Sequence, residues 1–106
     1  MNQEEQIQRE IVKHLDKVKV YYFSCPNENA GGGKGAMIRT RKYKAMGLRS
    51  GVSDLIVLLP NRIIFLEVKT PTGTQSPNQK KFHKKVIELG FEYFLVRSVD
   101  DVAKIV

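Results

Sequence analysis

Cysteine is almost absent from this sequence. Cys25 stands alone among 106 residues, so no intramolecular disulfide forms. Cys25, His14 and His83 do not fall into a zinc-ligand spacing, and Cys25 reads as an inert strand-end residue. Long apolar runs are missing too: none approaches the ~20 residues that a membrane-spanning helix needs. The amino terminus, MNQEEQIQ, has no basic segment and no apolar one behind it. Neither a signal peptide nor a membrane span is expected, which points to an intracellular, cytoplasmic protein. Acid is also scarce, with eleven Asp and Glu against eighteen Lys and Arg, a formal net charge of +7. Such a surplus keeps a small domain soluble. It also attracts phosphate backbones and releases their counterions.

What is present fits one compact domain over 1–106, with a real core and a large wet surface. Residues 3–18 read as an amphipathic helix, since Ile7, Ile11, Leu15 and Val18 recur at spacings of three and four. KVYYFS, 19–24, reads as a strand ended by Pro26. From 25 to 53 there is no clear periodicity; Gly31, Gly32, Gly33 and Gly35 suggest a flexible loop, with a short helix over 41–46. Two β-branched runs, 54–59 and 63–69, flank Pro60, Asn61 and Arg62 and read as a hairpin. Ser76, Pro77 and Gln79 take the N-cap, N1 and N3 positions of a helix carrying Phe82, Val86 and Leu89 and stopped by Gly90. A strand over 93–97 follows, then a short helix capped by Ser98 with Asp101 three residues on. The fold class expected is α/β: a central mixed β-sheet flanked by helices, in the order α-β-β-β-α-β-α, without internal repeats.

The hairpin carries the chemistry. With Pro60 and Asn61 at the turn, Leu59 faces Arg62, and stepping back along both strands sets Asp54 opposite Glu67. Facing Cβ atoms in such a ladder lie roughly 4.5–5.5 Å apart, and like charges there are destabilising. A divalent cation removes that penalty, and hard oxygen ligands suit Mg²⁺ or Mn²⁺. Lys69, two residues past Glu67, leaves the strand on the same face. Its ammonium can hold a water or offset charge developing on a phosphate. Taken singly, each residue also has a plain reading: Asp54 begins a strand, and Glu-x-Lys is common on solvated strands. A slip of one residue would turn one carboxylate away. The setting favours the sharper reading, because Ile63–Leu66 is apolar on both faces and a buried Glu needs a partner.

These segments, GVSD with its apolar strand and then Glu67-Val68-Lys69, resemble the PD-(D/E)xK nuclease core. GVSDLIVL, LEVKT and the SPNQKKF helix start, in that order, are similar to the VRR-NUC family of that superfamily, over nearly the whole chain. The resemblance implies a restriction-endonuclease-like core and Mg²⁺- or Mn²⁺-dependent hydrolysis of DNA phosphodiester bonds. It further implies an acid at the start of the first helix, for which Glu4 fits best. Glu4 lies three residues before Ile7 and on the apolar stripe, whereas Glu5 points aside; a favourable helix-dipole position competes as an explanation. Gln79 corresponds to the family's Gln after the Lys strand, its alternative being an N3 capping residue. The Val68 carbonyl would join Asp54 and Glu67 as a metal ligand. Small stand-alone members resemble Holliday-junction resolvases, which implies branched DNA as substrate and a homodimer.

Lys34, Arg39, Arg41, Lys42, Lys44 and Arg49 stand against the single acid Glu28 in the segment before the hairpin, and Lys80, Lys81, Lys84 and Lys85 crowd the later helix. Lys80 and Lys84 join the first group as expected phosphate contacts, which position rather than specify; Lys81 and Lys85 read as solvated. The glycines do not make a nucleotide-binding P-loop, because Gly33-Lys34 is followed by Gly35 instead of Ser or Thr, so no nucleotide cofactor is expected. Two other functions fit the same residues: a catalytically idle nucleic-acid-binding module, and a sequence-specific restriction-type nuclease.

Overall fold

The computed structural model describes residues 2–25 and 34–106, the side chains of 34, 36, 37 and 40 excepted. Its centre is the hairpin of β2 (Leu55–Leu59) and β3 (Arg62–Val68). The register pairs Leu59 with Arg62 and continues to Leu55 with Leu66, as the turn position requires. Asn61 closes the turn at φ 58°, a left-handed conformation that Asn tolerates better than most residues. On one side β1 (Tyr21–Ser24) runs antiparallel to β2; on the other β4 (Glu92–Val96) runs parallel to β3. The result is a mixed four-stranded sheet in the order β1-β2-β3-β4. A parallel neighbour needs a crossover, and the helix α3 (Pro77–Glu88) supplies it.

Strand parity decides the two faces. Leu55, Val57, Ile64, Leu66, Val68 and Val96 point to one face and pack with Ile11 and Leu15 of α1 (Gln3–Lys17) and Val102 of α4 (Val99–Ala103). All nine are at most 1% exposed. Burying a side chain of this size contributes about 1.5–3 kcal/mol, so this layer holds the domain together. The opposite face receives α3: Phe82 meets Phe65 and Tyr93 edge-on, at centroid distances of 5.7 and 6.1 Å. α3 covers only half of that face. Tyr21, Phe23, Leu58 and Ile63, aligned across three strands by the register, remain 36–70% exposed.

Three helix starts are capped by side chains read from the sequence or adjacent to them. Asn2 accepts from the Glu5 N–H at 2.8 Å, Ser76 and Gln79 form a reciprocal capping box, and Ser98 accepts from the Asp101 N–H at 3.3 Å. Two expectations change. Val18 is the C-cap of α1, 41% exposed, rather than part of its apolar stripe. The strand expected from residue 19 begins at Tyr21, because Lys19 takes a left-handed φ of 61°. A larger difference is α2 (Lys34–Ala45), a full helix where mainly loop was expected. Ile38, Tyr43 and Met46 are 50–72% exposed along and just beyond it, and no side chain described on the helix is buried. Pro26, Glu28 and the glycines at 31–33 lie outside the described residues.

Candidate active site at the open end of the hairpin

Asp54 sits one residue before β2 and Glu67 one before the end of β3, where the ladder opens. The Val68 N–H donates to Asp54 Oδ2 at 2.7 Å, which fixes the carboxylate across the strand gap. The approach to Asp54 is set by Gly51, whose φ is +77°. A Cβ there would lie 2.4 Å from the Asn78 carbonyl carbon and 2.7 Å from the Gln79 nitrogen. Only glycine therefore lets this loop lie against the first turn of α3. Ser53 beside it is fully buried.

Glu67 is fully buried as well. Its Oε1 accepts from the Tyr93 hydroxyl and, at 3.2 Å, from Gln75 Nε2. Its Oε2 is buried and has no hydrogen-bond partner among the described residues. Gln75 also contacts His83 Nδ1 at 3.2 Å, and the His83 ring stacks on Tyr93 at 4.0 Å. Burial raises the Asp54 pKa above the usual carboxylate range; the Val68 N–H opposes this, the negative charges of Glu4 and Glu67 add to it, and Lys69 opposes it. Asp54 thus feels both acids and the lysine, and the four share one electrostatic environment. Burial, and then the charge of Asp54, likewise push the nearby Cys25 thiol up, so it stays protonated and unreactive.

Of the two acids at the start of α1, Glu4 is half-buried and acts on Asp54, while Glu5 is exposed. Lys69 is half-buried, and its N–H donates to the Val96 carbonyl at 2.9 Å. The turn after it is pinned by Arg97, whose Nη1 donates to the Thr70 and Gly73 carbonyls at 2.6 and 2.8 Å. Gln79 takes the N3 capping role that was its alternative reading: its side-chain oxygen accepts from the Ser76 N–H at 2.8 Å. The glutamine that reaches Glu67 is Gln75, four residues earlier in a loop. Sequence reasoning missed Gln75, Tyr93 and His83. Tyr93 alone left a trace, as the one residue of the expected last strand with a polar end to its ring.

The family model for the VRR-NUC domain matches residues 2–100. This chain belongs to the VRR-NUC domain family. A relative described as "Putative nuclease p44", from Acyrthosiphon pisum secondary endosymbiont phage 1, is 40% identical over 53 residues, which is 49% of this chain. The match spans 57% of that relative's length. Two solved structures share the fold. One, "VRR_NUC domain", has a TM-score of 0.70 at 24% identity, covering 98% of this chain and 94% of its own. The other, "VRR_NUC domain protein", has a TM-score of 0.78 at 19% identity, covering 99% and 85%.

The basic residues of this VRR-NUC domain are spread over two helices and the loop between α2 and β2. Arg39, Arg41, Lys42, Lys44 and Arg49 are exposed, as are Lys80 and Lys84 on α3. The Lys34 side chain lies outside the described residues. Lys44, Arg49, Ser50, Asn78 and Lys81 line a hollow of about 490 Å³ between the end of α2 and the start of α3. Lys81, expected to be merely solvated, therefore faces the same concavity as two expected phosphate contacts. Lys85 instead pairs with Glu88 at 3.4 Å. A second hollow, about 950 Å³ between α1 and β1, contains none of Asp54, Glu67 and Lys69. Among the described residues, no three His, Cys, Asp or Glu side chains are grouped closely enough to hold a metal ion by themselves. No helix among them is long and apolar enough to cross a membrane.

Proposed function

We propose that this VRR-NUC domain is a metal-dependent endonuclease of the PD-(D/E)xK kind that hydrolyses phosphodiester bonds in DNA, with branched DNA as its preferred substrate. The observation that carries the reading is the buried, unpartnered Oε2 of Glu67 beside Asp54. An orphaned carboxylate oxygen in an apolar sheet costs several kcal/mol unless a ligand meets it. Two hard carboxylates suit Mg²⁺ or Mn²⁺. Asp54 and Glu67 would hold the cation with the Val68 carbonyl, and water and phosphate oxygens would complete its shell, since the protein carboxylates are too few to do so. Bound there, the cation supplies positive charge against the phosphate and lowers the pKa of water.

The remaining work falls to the chain. Lys69 holds the attacking water and offsets negative charge on the phosphate as it develops. Water oxygen bonds to phosphorus in line with the departing sugar oxygen and gives up one proton to solvent, while the P–O bond to the sugar oxygen breaks and that oxygen takes one proton from solvent. Glu4 contributes a further negative charge that strengthens cation binding. Lys44, Arg49 and Lys81 around the hollow, with Arg39, Arg41, Lys42, Lys80 and Lys84, take backbone phosphates. Two cuts on a four-way junction call for two sites related by a two-fold axis. The uncovered sheet face of Tyr21, Phe23, Leu58 and Ile63 supports a homodimer.

The test is a panel of linear duplex, flap and four-way-junction DNA with Mg²⁺ or Mn²⁺, run with wild type and Glu67→Gln. Branched substrates are expected to be nicked on paired strands and Glu67→Gln to be inactive. Light scattering at micromolar concentration should report a dimer. DNA binding without cleavage under every metal would instead identify an idle binding module. Cutting at one sequence in linear duplex would identify a restriction-type enzyme.

A further inference from the structure

All donors around Glu67 converge on one oxygen. Oε1 receives the Tyr93 hydroxyl and Gln75 Nε2, while Oε2 receives no hydrogen bond from the described residues. A glutamate buried only for structure would be satisfied at both oxygens. We infer that Gln75 and Tyr93 are positioning residues that restrain Glu67 through Oε1 and leave Oε2 as the working oxygen, with His83 orienting Gln75. This rests on the reading of Glu67 as a functional carboxylate.

The chemistry of the contacts fixes their sense. The Gln75 carboxamide nitrogen has two hydrogens and lies 3.2 Å from both Glu67 Oε1 and His83 Nδ1, and Gln75 also hydrogen-bonds Tyr93. Turning the amide over would set its oxygen against a carboxylate, so the nitrogen faces Glu67. An amide nitrogen cannot accept, so in its contact with His83 it donates to Nδ1, which calls for the tautomer with the imidazole proton on Nε2. Tyr93 is held from two sides. Its ring stacks on His83 with planes 13° apart and meets Phe82 edge-on. The parallel register sets Tyr93 beside Phe65, two residues before Glu67 on the same face, and its hydroxyl spans that offset. With Oε1 tethered by two donors anchored on different elements, rotation of the carboxylate is restricted and Oε2 keeps a constant place. Partners that orient a metal-binding side chain are worth about 10–100-fold in metal affinity or activity.

The experiment compares Tyr93→Phe, Gln75→Leu, His83→Asn and His83→Phe with wild type. Mn²⁺ binding is measured by calorimetry without DNA, and kcat and KM on branched DNA, with thermal midpoints as the control for folding. Tyr93→Phe keeps the ring and its packing, and Gln75 lies in a loop outside the apolar core; if one variant fails to fold, the other carries the test. Both are expected to weaken Mn²⁺ binding and lower kcat by about 10–100-fold with KM unchanged. His83→Asn retains an acceptor near Nδ1 and should keep most of the Mn²⁺ affinity, whereas His83→Phe should match Gln75→Leu. Folded Tyr93→Phe and Gln75→Leu proteins with wild-type Mn²⁺ affinity and kcat would overturn the inference while Glu67→Gln stays inactive. A Glu67→Gln variant that cleaves like wild type would overturn the reading of Glu67 itself, and the inference with it.

Discussion

Replacing Gly51 with Ala should damage the protein out of proportion to the size of a methyl group. Two costs add. At φ +77° an L-residue loses about 1–2 kcal/mol relative to glycine. The new Cβ would also sit 2.4–2.7 Å from three backbone atoms of Asn78 and Gln79. Those atoms belong to the capped first turn of α3, so they cannot rotate aside as a side-chain tip would. Forcing them apart is overpacking, about 1–3 kcal/mol. The total is roughly 2–5 kcal/mol, a large part of the stability of a domain this small. Gly90 provides the control, since its φ is +86° and nothing lies within 4 Å of an added Cβ. Gly90→Ala carries the conformational cost alone, about 1–2 kcal/mol. Urea denaturation of both variants isolates the clash as the difference. Cleavage by Gly51→Ala should fall too, because the displaced loop carries Asp54. Equal destabilisation in the two variants, with cleavage intact, would refute the claim that Gly51 seats this loop on α3.

Other outcomes follow from the charges. Asp54→Asn should abolish cleavage, yet without metal it should raise stability by about 0.2–1 kcal/mol, the usual size of a relieved like-charge pair; calorimetric melting in chelator checks this. Asp54 in the folded state holds its proton above the ordinary 3.8, so as pH rises past that value the unfolded chain releases a proton that the native one retains. Metal-free stability should therefore fall through that window for wild type relative to Asp54→Asn, and melting curves between acid and neutral pH would read the difference. Lys69→Ala should lower turnover by about 10²–10³, as for other donors to a developing oxyanion. Its Mn²⁺ affinity should stay level or tighten, because an ammonium is no ligand and repels the cation; loss of Mn²⁺ binding would make Lys69 structural. Exchanging Arg49 and Lys81 for Gln should each reduce the salt slope of DNA binding by about one contact, with Lys85→Gln unchanged.

Local rules in the sequence determined the hairpin and its consequences. Strands have a side-chain period of two, and a two-residue turn leaves one register, so the pairing from Leu59–Arg62 to Leu55–Leu66 could be read from residue numbers alone. The opposition of Asp54 and Glu67 follows by continuing that ladder. Helix caps at Ser76 and Ser98 were equally legible, because capping is chemistry between residues three apart. The tertiary structure decided what depends on distant residues. Helix α2 shows no buried side chain among those described, and its sequence carries no clear apolar periodicity to mark it. Gln79 and Gln75 look alike in sequence; the capping box claims the first, and only the path of the loop after Lys69, pinned by Arg97, delivers the second to Glu67. Tyr93 reaches Glu67 because a parallel strand is laid beside β3 by the α3 crossover, and that neighbour is chosen by long-range packing rather than by any local pattern.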